Sequence, residues 1–380
     1  MPSSPASDAQ GAGGRYDRHE LLPEVGAVGQ ARVRAGRLLC VGAGGLGSGA
    51  LPYLAGAGVG RITIIDPDRV DRSNLQRQVL FAESDVGRPK ALAAAERLRA
   101  LNPEVEVVAI EGRLDASNAE TLLRAHDVVL DGSDNYAAKY LLADTTARLR
   151  LPLVYGSVTG MDAMVTVFDV RHGPCLRCLF PEPPRAWVPN CAEAGVLGPL
   201  VGMIGAVQAA EALKLLVGAS SDADAALRPL TGRLWYLDAR DMRSRQVAVA
   251  RREGCAGCAG TAEPVPDDVG RCAAPSDRSA ALAIDAAEAT ALDAALFVDV
   301  RDPDEYARGH IPGAVSAPLT ALRSATPPTL PGASVYVVYC SHGVRSVAAA
   351  EALAAAGVRN VRHLAGGLTR WSGALAQLAR

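Results

Sequence analysis

The stretch "LLCVGAGGLGSGALPYL", residues 38–54, decides how this chain is read. Four apolar residues run into glycines at positions 42, 44 and 47, followed by a run of small residues. An apolar strand that turns on glycines into a helix is the local pattern of a nucleotide-binding βα unit, because backbone N–H groups at the helix start face phosphate. Extended to Gly60 the run is uncharged over a length that could cross a bilayer, but its eight glycines and Pro52 make a poor lipid-facing surface. A buried strand, turn and helix start is the expectation, with no membrane span.

Outward from this unit, β-rich runs alternate with helical ones: "RLLCVGAG", "RITIIDPD", "KALAAAERLRALN", "EVEVVAIEG" and "HDVVLDGSDN". That rhythm predicts a mainly parallel sheet covered by helices, an α/β fold, with Asp66 and Asp131 at strand ends, where such sheets bind ligands. After Gly160 come "MVTVFDV", a cysteine pair, the proline-rich loop "FPEPPRAWVPN", a helical run from about 196 to 217 and a strand pair. Residues 259–282 read as a linker, and a second α/β domain follows over 283–380.

With 380 residues, two domains are expected. A net charge of -2 provides no basic field for nucleic acid or acidic membranes. Residues 1–14 are small and polar, lack an apolar signal-peptide core and read as a disordered lead-in to a cytoplasmic protein. Eight cysteines in a chain of this length point to metal or chemistry and not to a disulfide scaffold.

Asp66 lies nineteen residues beyond Gly47, at the place of a ribose-binding carboxylate, so the loop first suggests a nicotinamide or flavin dinucleotide. It is not a Walker A loop, since Ser48 and Gly49 replace the required Lys and Ser/Thr. Phosphate-binding cations must come from elsewhere, and "DRSNLQRQ" offers Asn74, Gln76 and Arg77, "GRPK" offers Lys90, and "DGSDN" offers Asp134 and Asn135. Arginine and lysine suit phosphates and a carboxylate suits Mg²⁺, which moves the reading from NAD to ATP.

The ordered motifs "RYDRHELLPEVGAVGQARVRAGRLLCVGAGGLGSG", "SNLQRQVLF", "VGRPKALAAAERLRALNP", "LDGSDNYAAKYLLAD", "GPCLRCLFP", "NCAEAGVLGPLVGMIGAVQAAEALKLL" and "GCAGC" resemble the ThiF/MoeB family over residues 15–258. The resemblance implies a Rossmann-like, homodimeric adenylyltransferase that uses ATP and Mg²⁺ on the C-terminal glycine of a ubiquitin-like sulfur carrier ending in Gly-Gly. It places Gly42, Gly44 and Gly45 along the nucleotide and Asp66 on the ribose. The segment Ser73, Asn74, Leu75, Gln76 and Arg77, with Lys90 and Asn135, falls around the phosphates, and Asp134 on Mg²⁺. Arg18 matches an arginine that reaches across the dimer to the partner's triphosphate, while His19 stands where relatives often have Gln. A C-terminal carboxylate is already ionised at neutral pH, so such a site needs alignment and charge stabilisation rather than a general base.

Two Cys-x-x-Cys pairs, Cys175/Cys178 and Cys255/Cys258, can place four thiolates about a structural Zn²⁺ if the 76 intervening residues fold back. A redox pair is the alternative, but two separate pairs flanking a long helix fit a metal clip better. Cys191 precedes the long helix, where a lowered thiol pKa suits a covalent role as well as a merely local structural one. Cys40 reads as core and Cys272 as linker.

Cys340 follows the apolar strand "VYVVY" and opens "CSHGVRS", where a thiolate faces the N–H groups of Ser341, His342, Gly343 and Val344 and the guanidinium of Arg345. With "FVDVRDPDEYARGHIPGAV" and "LAGGLTRW", this resembles a rhodanese domain. Four residues between Cys340 and Arg345 is the spacing of sulfurtransferases, one shorter than in the related phosphatases. Asp299, Arg301 and His310 read as supports of that domain.

The expected enzyme adenylates a carrier of the MoaD/ThiS type and transfers sulfur from a Cys340 persulfide to give a thiocarboxylate, with cysteine desulfurase or thiosulfate as the upstream donor. Molybdopterin, thiamine or cysteine synthesis, tRNA thiolation and specialised thio-metabolite pathways are all open. Ala163-Met164 departs from the Gly-Gln common after "SVTGMD" in relatives, at a position that bears on the carrier tail. A non-catalytic docking module is the competing reading, and Arg77, Lys90, Asp134 and Cys340 argue against it. A NAD oxidoreductase has the glycine fingerprint as its one support.

Overall fold

The computed structural model describes residues 14–183, 195–218, 227–265, 282–292, 294–322, 328–341 and 343–377. Residues 1–13 of the expected lead-in, Cys191, most of the proline-rich loop, Cys272, His342 and the side chain of Val344 lie outside the described residues. The described chain falls into two compact units, one before and one after about residue 266.

The first unit contains α1 (Gly26–Ala35), β1 (Arg37–Val41), α2 (Gly45–Gly56), β2 (Arg61–Asp66), α3 (Lys90–Leu101) and β3 (Glu106–Glu111). These are followed by α4 (Ala119–Arg124), β4 (Val128–Asp131), α5 (Tyr136–Leu149), β5 (Leu153–Thr159), β6 (Asp162–Phe168), α6 (Gly198–Val217), β7 (Arg233–Asp238) and β8 (Arg243–Ala248). The strands form one sheet in the order β3-β2-β1-β4-β5-β6-β7-β8. Its first five strands are parallel and the last three antiparallel.

β1 is buried on both faces, so its apolar run is continuous rather than alternating. Leu38 and Cys40 enter one core and Leu39 and Val41 the other, as the two-residue period of a strand requires. The chain leaves β1 towards β2 and β3 and returns to β4 on the opposite side. This reversal opens a crevice at the carboxyl ends of β1 and β4, where doubly wound sheets bind ligands.

α2 and α6 meet backbone to backbone on one face of the sheet. A β-carbon on Gly49 would lie 2.6 Å from the carbonyl oxygen of Gly202, and one on Gly205 would lie 2.3 Å from that of Leu46. α6 is long and apolar enough to cross a membrane by length and composition, yet it buries Gln208 and Glu211 inside this unit. Glu211 is satisfied there by the Leu230 amide at 2.7 Å and Lys214 at 2.5 Å.

The chain stays on the first unit beyond the second cysteine pair. The Glu263 carbonyl accepts from Arg177 at 3.0 Å and Val265 packs on the core that holds Leu39.

The second unit is a five-stranded parallel sheet in the order β11-β10-β12-β13-β9. Its strands are β9 (Ala283–Ile284), β10 (Ala295–Asp299), β11 (Val315–Ser316), β12 (Val335–Tyr339) and β13 (Val361–Leu364), with α7 (Pro303–Arg308) and α8 (Val344–Ala355) among its helices. β9 and β11 have two residues each, too short to show a strand period in the sequence. β12 is central and delivers Cys340 at its carboxyl end.

Candidate nucleotide, metal and persulfide sites

The glycine loop leaves β1 through Gly42, whose φ of +94° belongs to the left-handed region open to glycine. A β-carbon on Gly47 would sit 2.3 Å from the Gly42 carbonyl oxygen, so the turn closes only without side chains. Asp66, at the end of β2, ties the loop down. Its Oδ2 accepts from the Ala43 amide at 2.7 Å and its Oδ1 from the Asp68 amide at 2.8 Å. Burial pushes the Asp66 carboxyl up, against these amides and the nearby charge of Lys90.

Lys90 begins α3, is buried, and donates to Asp68 Oδ2 at 3.0 Å. The stem of Arg77 lies along the loop, with its Cγ 3.7 Å from where a Gly45 β-carbon would be, and its guanidinium donates to the Ser73 carbonyl at 3.0 Å. Asp71 caps the short 3₁₀ turn Arg72–Asn74 by accepting from the Ser73 amide, and Asn74 accepts in return from the Asp71 amide. Gln76 packs its carbonyl against Gly198 at the start of α6. Loop, Asp66, the 73–77 segment and Lys90 are therefore gathered on one sheet end.

Asp134 is exposed just beyond β4, and Asn135 caps α5 by accepting from the Ala138 amide at 2.9 Å. An exposed carboxylate at a strand end offers the hard oxygen that Mg²⁺ prefers. Arg18 is exposed on the short helix Asp17–Glu20 and has no ion pair among the described residues. Its segment is anchored by Tyr16, whose hydroxyl donates to Glu104 at 3.0 Å and accepts from Asn102 at 2.9 Å. His19 is engaged with Gln30 at 3.0 Å.

Three features here went unread in the sequence. Asp131 and Lys139 form a buried ion pair at 2.8 Å beneath the crevice, and Lys139 also donates to the Gly156 carbonyl at 3.1 Å. Burial alone would lower the Lys139 ammonium, but Asp131 dominates and holds it raised. Gln208 bridges the carbonyls of Asp131 and Val154 from α6. Gln78 is 4% exposed beside Gly44, and its Oε1 has no hydrogen-bond partner among the described residues. Only the i, i+8 placement of Asp131 and Lys139 hinted at any of these.

The four cysteines of the two pairs converge, with all their sulfurs within 4.8 Å of one another. Separations of 3.9 Å (Cys175–Cys178), 3.6 Å (Cys175–Cys255) and 3.4 Å (Cys178–Cys258) match the roughly 3.8 Å edge of a tetrahedron with Zn–S bonds of about 2.3 Å. The all-thiolate donor set and closed geometry fit a structural Zn²⁺. Cys40, by contrast, is buried in β1 and its thiol donates to the Gly42 carbonyl at 3.4 Å.

In the second unit Cys340 is 2% exposed and donates to Ser346 Oγ at 3.8 Å, and Ser346 in turn donates to the Gly343 carbonyl at 3.0 Å. The loop is pinned from behind, where the Leu368 and Thr369 amides donate to the carbonyls of Cys340 and Ser341. Arg345, read as the anion-holding cation, meets a carboxylate already in place. Its two terminal nitrogens donate to Glu305 at 2.6 and 2.8 Å, and Ser341 Oγ donates to the same carboxylate at 3.2 Å. Burial acts to raise the Glu305 pKa, but Arg345 overrides it and holds the carboxyl at about 2. Arg301 forms a buried two-point pair with Asp299 and donates to the Gly309 carbonyl at 2.6 Å, while His310 stacks on Tyr306 at 3.9 Å.

A doubly wound sheet with a glycine-loop crevice, joined to a parallel five-stranded domain with a cysteine at a strand end, defines the class. Residues 16–257 match the ThiF family and residues 280–374 the rhodanese-like domain. The chain belongs to the ThiF family and carries a rhodanese-like domain after it. Among its relatives, the sulfur carrier protein adenylyltransferase of Thermus thermophilus is 47% identical over 250 residues, which cover 64% of this chain and 90% of that protein. The probable adenylyltransferase/sulfurtransferase MoeZ of Mycobacterium tuberculosis is 38% identical over 373 residues, 94% of this chain and 92% of that one. The adenylyltransferase and sulfurtransferase MOCS3 of Anopheles gambiae is 38% identical over 391 residues, 94% and 86% of the two chains. The solved structure of the microcin C7 biosynthetic enzyme MccB with N-formylated MccA has a TM-score of 0.55 at 20% identity, covering 64% of this chain and 75% of that one, a likeness of fold.

Proposed function

We propose that this chain is an adenylyltransferase and sulfurtransferase. It adenylates the C-terminal glycine of a ubiquitin-like sulfur carrier and replaces AMP with sulfur from a persulfide on Cys340. The observation that carries this reading is the union in one chain of a glycine loop flanked by Arg77 and Lys90 with a strand-end cysteine loop. Relatives that match 94% of the chain and bear both activities in their names support it.

In the first step the carrier carboxylate attacks the α-phosphorus of ATP, forming a C–O–P linkage as pyrophosphate leaves. Arg77 and Lys90 stabilise the charge that builds on the phosphates, and the glycine loop holds the nucleotide by its backbone. Asp134 would hold Mg²⁺, which when bound would supply charge neutralisation on the phosphates. In the second step the terminal sulfur of the Cys340 persulfide attacks the acyl carbon and AMP leaves, giving an acyl disulfide. A thiolate, Cys191 or an external thiol, then attacks the Cys340 sulfur and releases the thiocarboxylate, leaving a disulfide that an external thiol reduces.

Within this proposal the Cys175, Cys178, Cys255 and Cys258 set holds Zn²⁺ structurally, the enzyme is a cytoplasmic homodimer, and Arg18 serves the partner's triphosphate. The test is ATP/pyrophosphate exchange dependent on a carrier ending in Gly-Gly, followed by mass spectrometry for one added sulfur on the carrier. Absence of exchange with every such carrier would sink the reading.

A further inference from the structure

Consecutive residues of the glycine loop are each met by a different side chain. Asp66 holds the Ala43 amide at 2.7 Å, Gln78 Nε2 lies 3.9 Å from where a Gly44 β-carbon would be, and Arg77 Cγ lies 3.7 Å from the same place on Gly45. Arg77 and Gln78 reach neighbouring loop residues because their amides share the Asn74 carbonyl, at 3.0 and 2.9 Å, in one tight turn. Gly44 is also the N-cap of the 12-residue helix α2, whose first N–H groups face the same crevice.

The Gln78 carboxamide gives the fold itself nothing. Its Oε1 is buried without a hydrogen-bond partner among the described residues, which lowers stability relative to an apolar side chain of the same size. The oxygen is turned inward, and the nitrogen, the donor end, stands beside Gly44. A polar group that disfavours the fold is kept where it serves a ligand.

We propose that Gln78 Nε2 binds the α-phosphate of ATP and of the acyl adenylate formed from it. The inference rests on the adenylation reading above. With the ribose on the Asp66 side and the leaving pyrophosphate on the side of Arg77 and Lys90, the α-phosphate lies between them, at Gly44. Arg77 and Lys90 lose their partner when pyrophosphate departs, whereas a donor at Gly44 keeps hold of the phosphorus that stays. A neutral amide does this without adding a cation that would pair with the incoming carrier carboxylate.

The experiment titrates the full-length chain with AMP and with adenosine by calorimetry. AMP carries the α-phosphate without the leaving group, and adenosine carries no phosphate. Gln78→Met keeps the side-chain volume and removes the donor, while Gln78→Glu puts a negative charge in its place. The ratio of the adenosine to the AMP dissociation constant is expected to fall about tenfold in Q78M and further in Q78E, with adenosine affinity within about twofold of wild type. The ligand-free Q78M chain is expected to melt at or above the wild-type temperature, because the unmet oxygen is gone. A ratio within about twofold of wild type in Q78M and Q78E overturns the inference. A Q78M chain that fails to fold or melts lower overturns it too, since the amide then serves the fold. A wild-type chain that binds neither AMP nor ATP overturns the adenylation reading on which the inference stands, a result distinct from both of these.

Discussion

Gly42 and Gly132 face each other across the ends of β1 and β4. A β-carbon on Gly132 would lie 2.5 Å from the Gly42 carbonyl oxygen, and one on Gly42 would lie 2.7 Å from that of Gly132. The floor of the nucleotide crevice is thus two backbones in contact. Gly132→Ala is expected to force them apart, costing about 1–3 kcal/mol of stability and weakening ATP binding. Urea unfolding and ATP titration by calorimetry measure the two effects separately.

Removing a phosphate-side cation should act on chemistry more than on fold. Lys90→Ala breaks one ion pair, with an exposed Asp68, and on the proposed reading takes away charge stabilisation in the transition state. Carrier-dependent ATP/pyrophosphate exchange is expected to fall about 10²–10³-fold, with little change in the thermal midpoint. Retained exchange would remove Lys90 from the site.

The cysteine cluster should hold one Zn²⁺ per chain by elemental analysis. Cys178→Ser opens the tetrahedron and leaves a thiolate set too small for a structural site. The expected result is loss of the metal and a lower thermal midpoint, reproduced in the wild-type chain by a strong chelator. The tie between residues 173–181 and 251–259 would then rest on a few hydrogen bonds, such as that from Arg251 to the Gly173 carbonyl at 3.0 Å.

The two chemistries should separate at Cys340. On the proposed reading, Cys340→Ser removes the sulfur acceptor, which lies in the second unit, while the proposed ATP residues lie in the first. Pyrophosphate exchange is expected to persist while the carrier gains no sulfur by mass.

His126 imparts a pH dependence to the first unit. Its Nδ1 donates to the Leu122 carbonyl at 2.7 Å, and in the neutral ring its Nε2 accepts from Thr63 Oγ1 at 2.8 Å. Burial pushes this histidine below its usual value. The unfolded chain therefore binds more protons than the folded one below about pH 6.5, and stability falls as the pH drops through that range. Urea midpoints are expected to decline from about pH 7.5 to about pH 5.5, with a shallower slope in His126→Gln.

The strand-turn-helix of residues 38–54 was legible because its signals are local. An apolar strand, glycines at fixed offsets and a helix start each follow from the neighbouring residues. The cysteine pairs and the Cys340 loop were legible for the same reason, since spacing alone limits what they hold. Asp131–Lys139, Gln208, Gln78 and Glu305 were not. Each acts through a partner supplied by another element or by a buried environment, and its type is equally common on a solvated surface.

By itself, then, the sequence determined which backbone conformations and which reactive groups the chain carries, because these depend on residue type and short-range spacing. Only the tertiary structure decided how those groups are charged and restrained. Strand order brought Gly132 against Gly42, chain return closed four sulfurs into a tetrahedral set, and α7 laid Glu305 on Arg345. Such pairings join residues from separate elements, and the packing of the sheets and helices sets their distances.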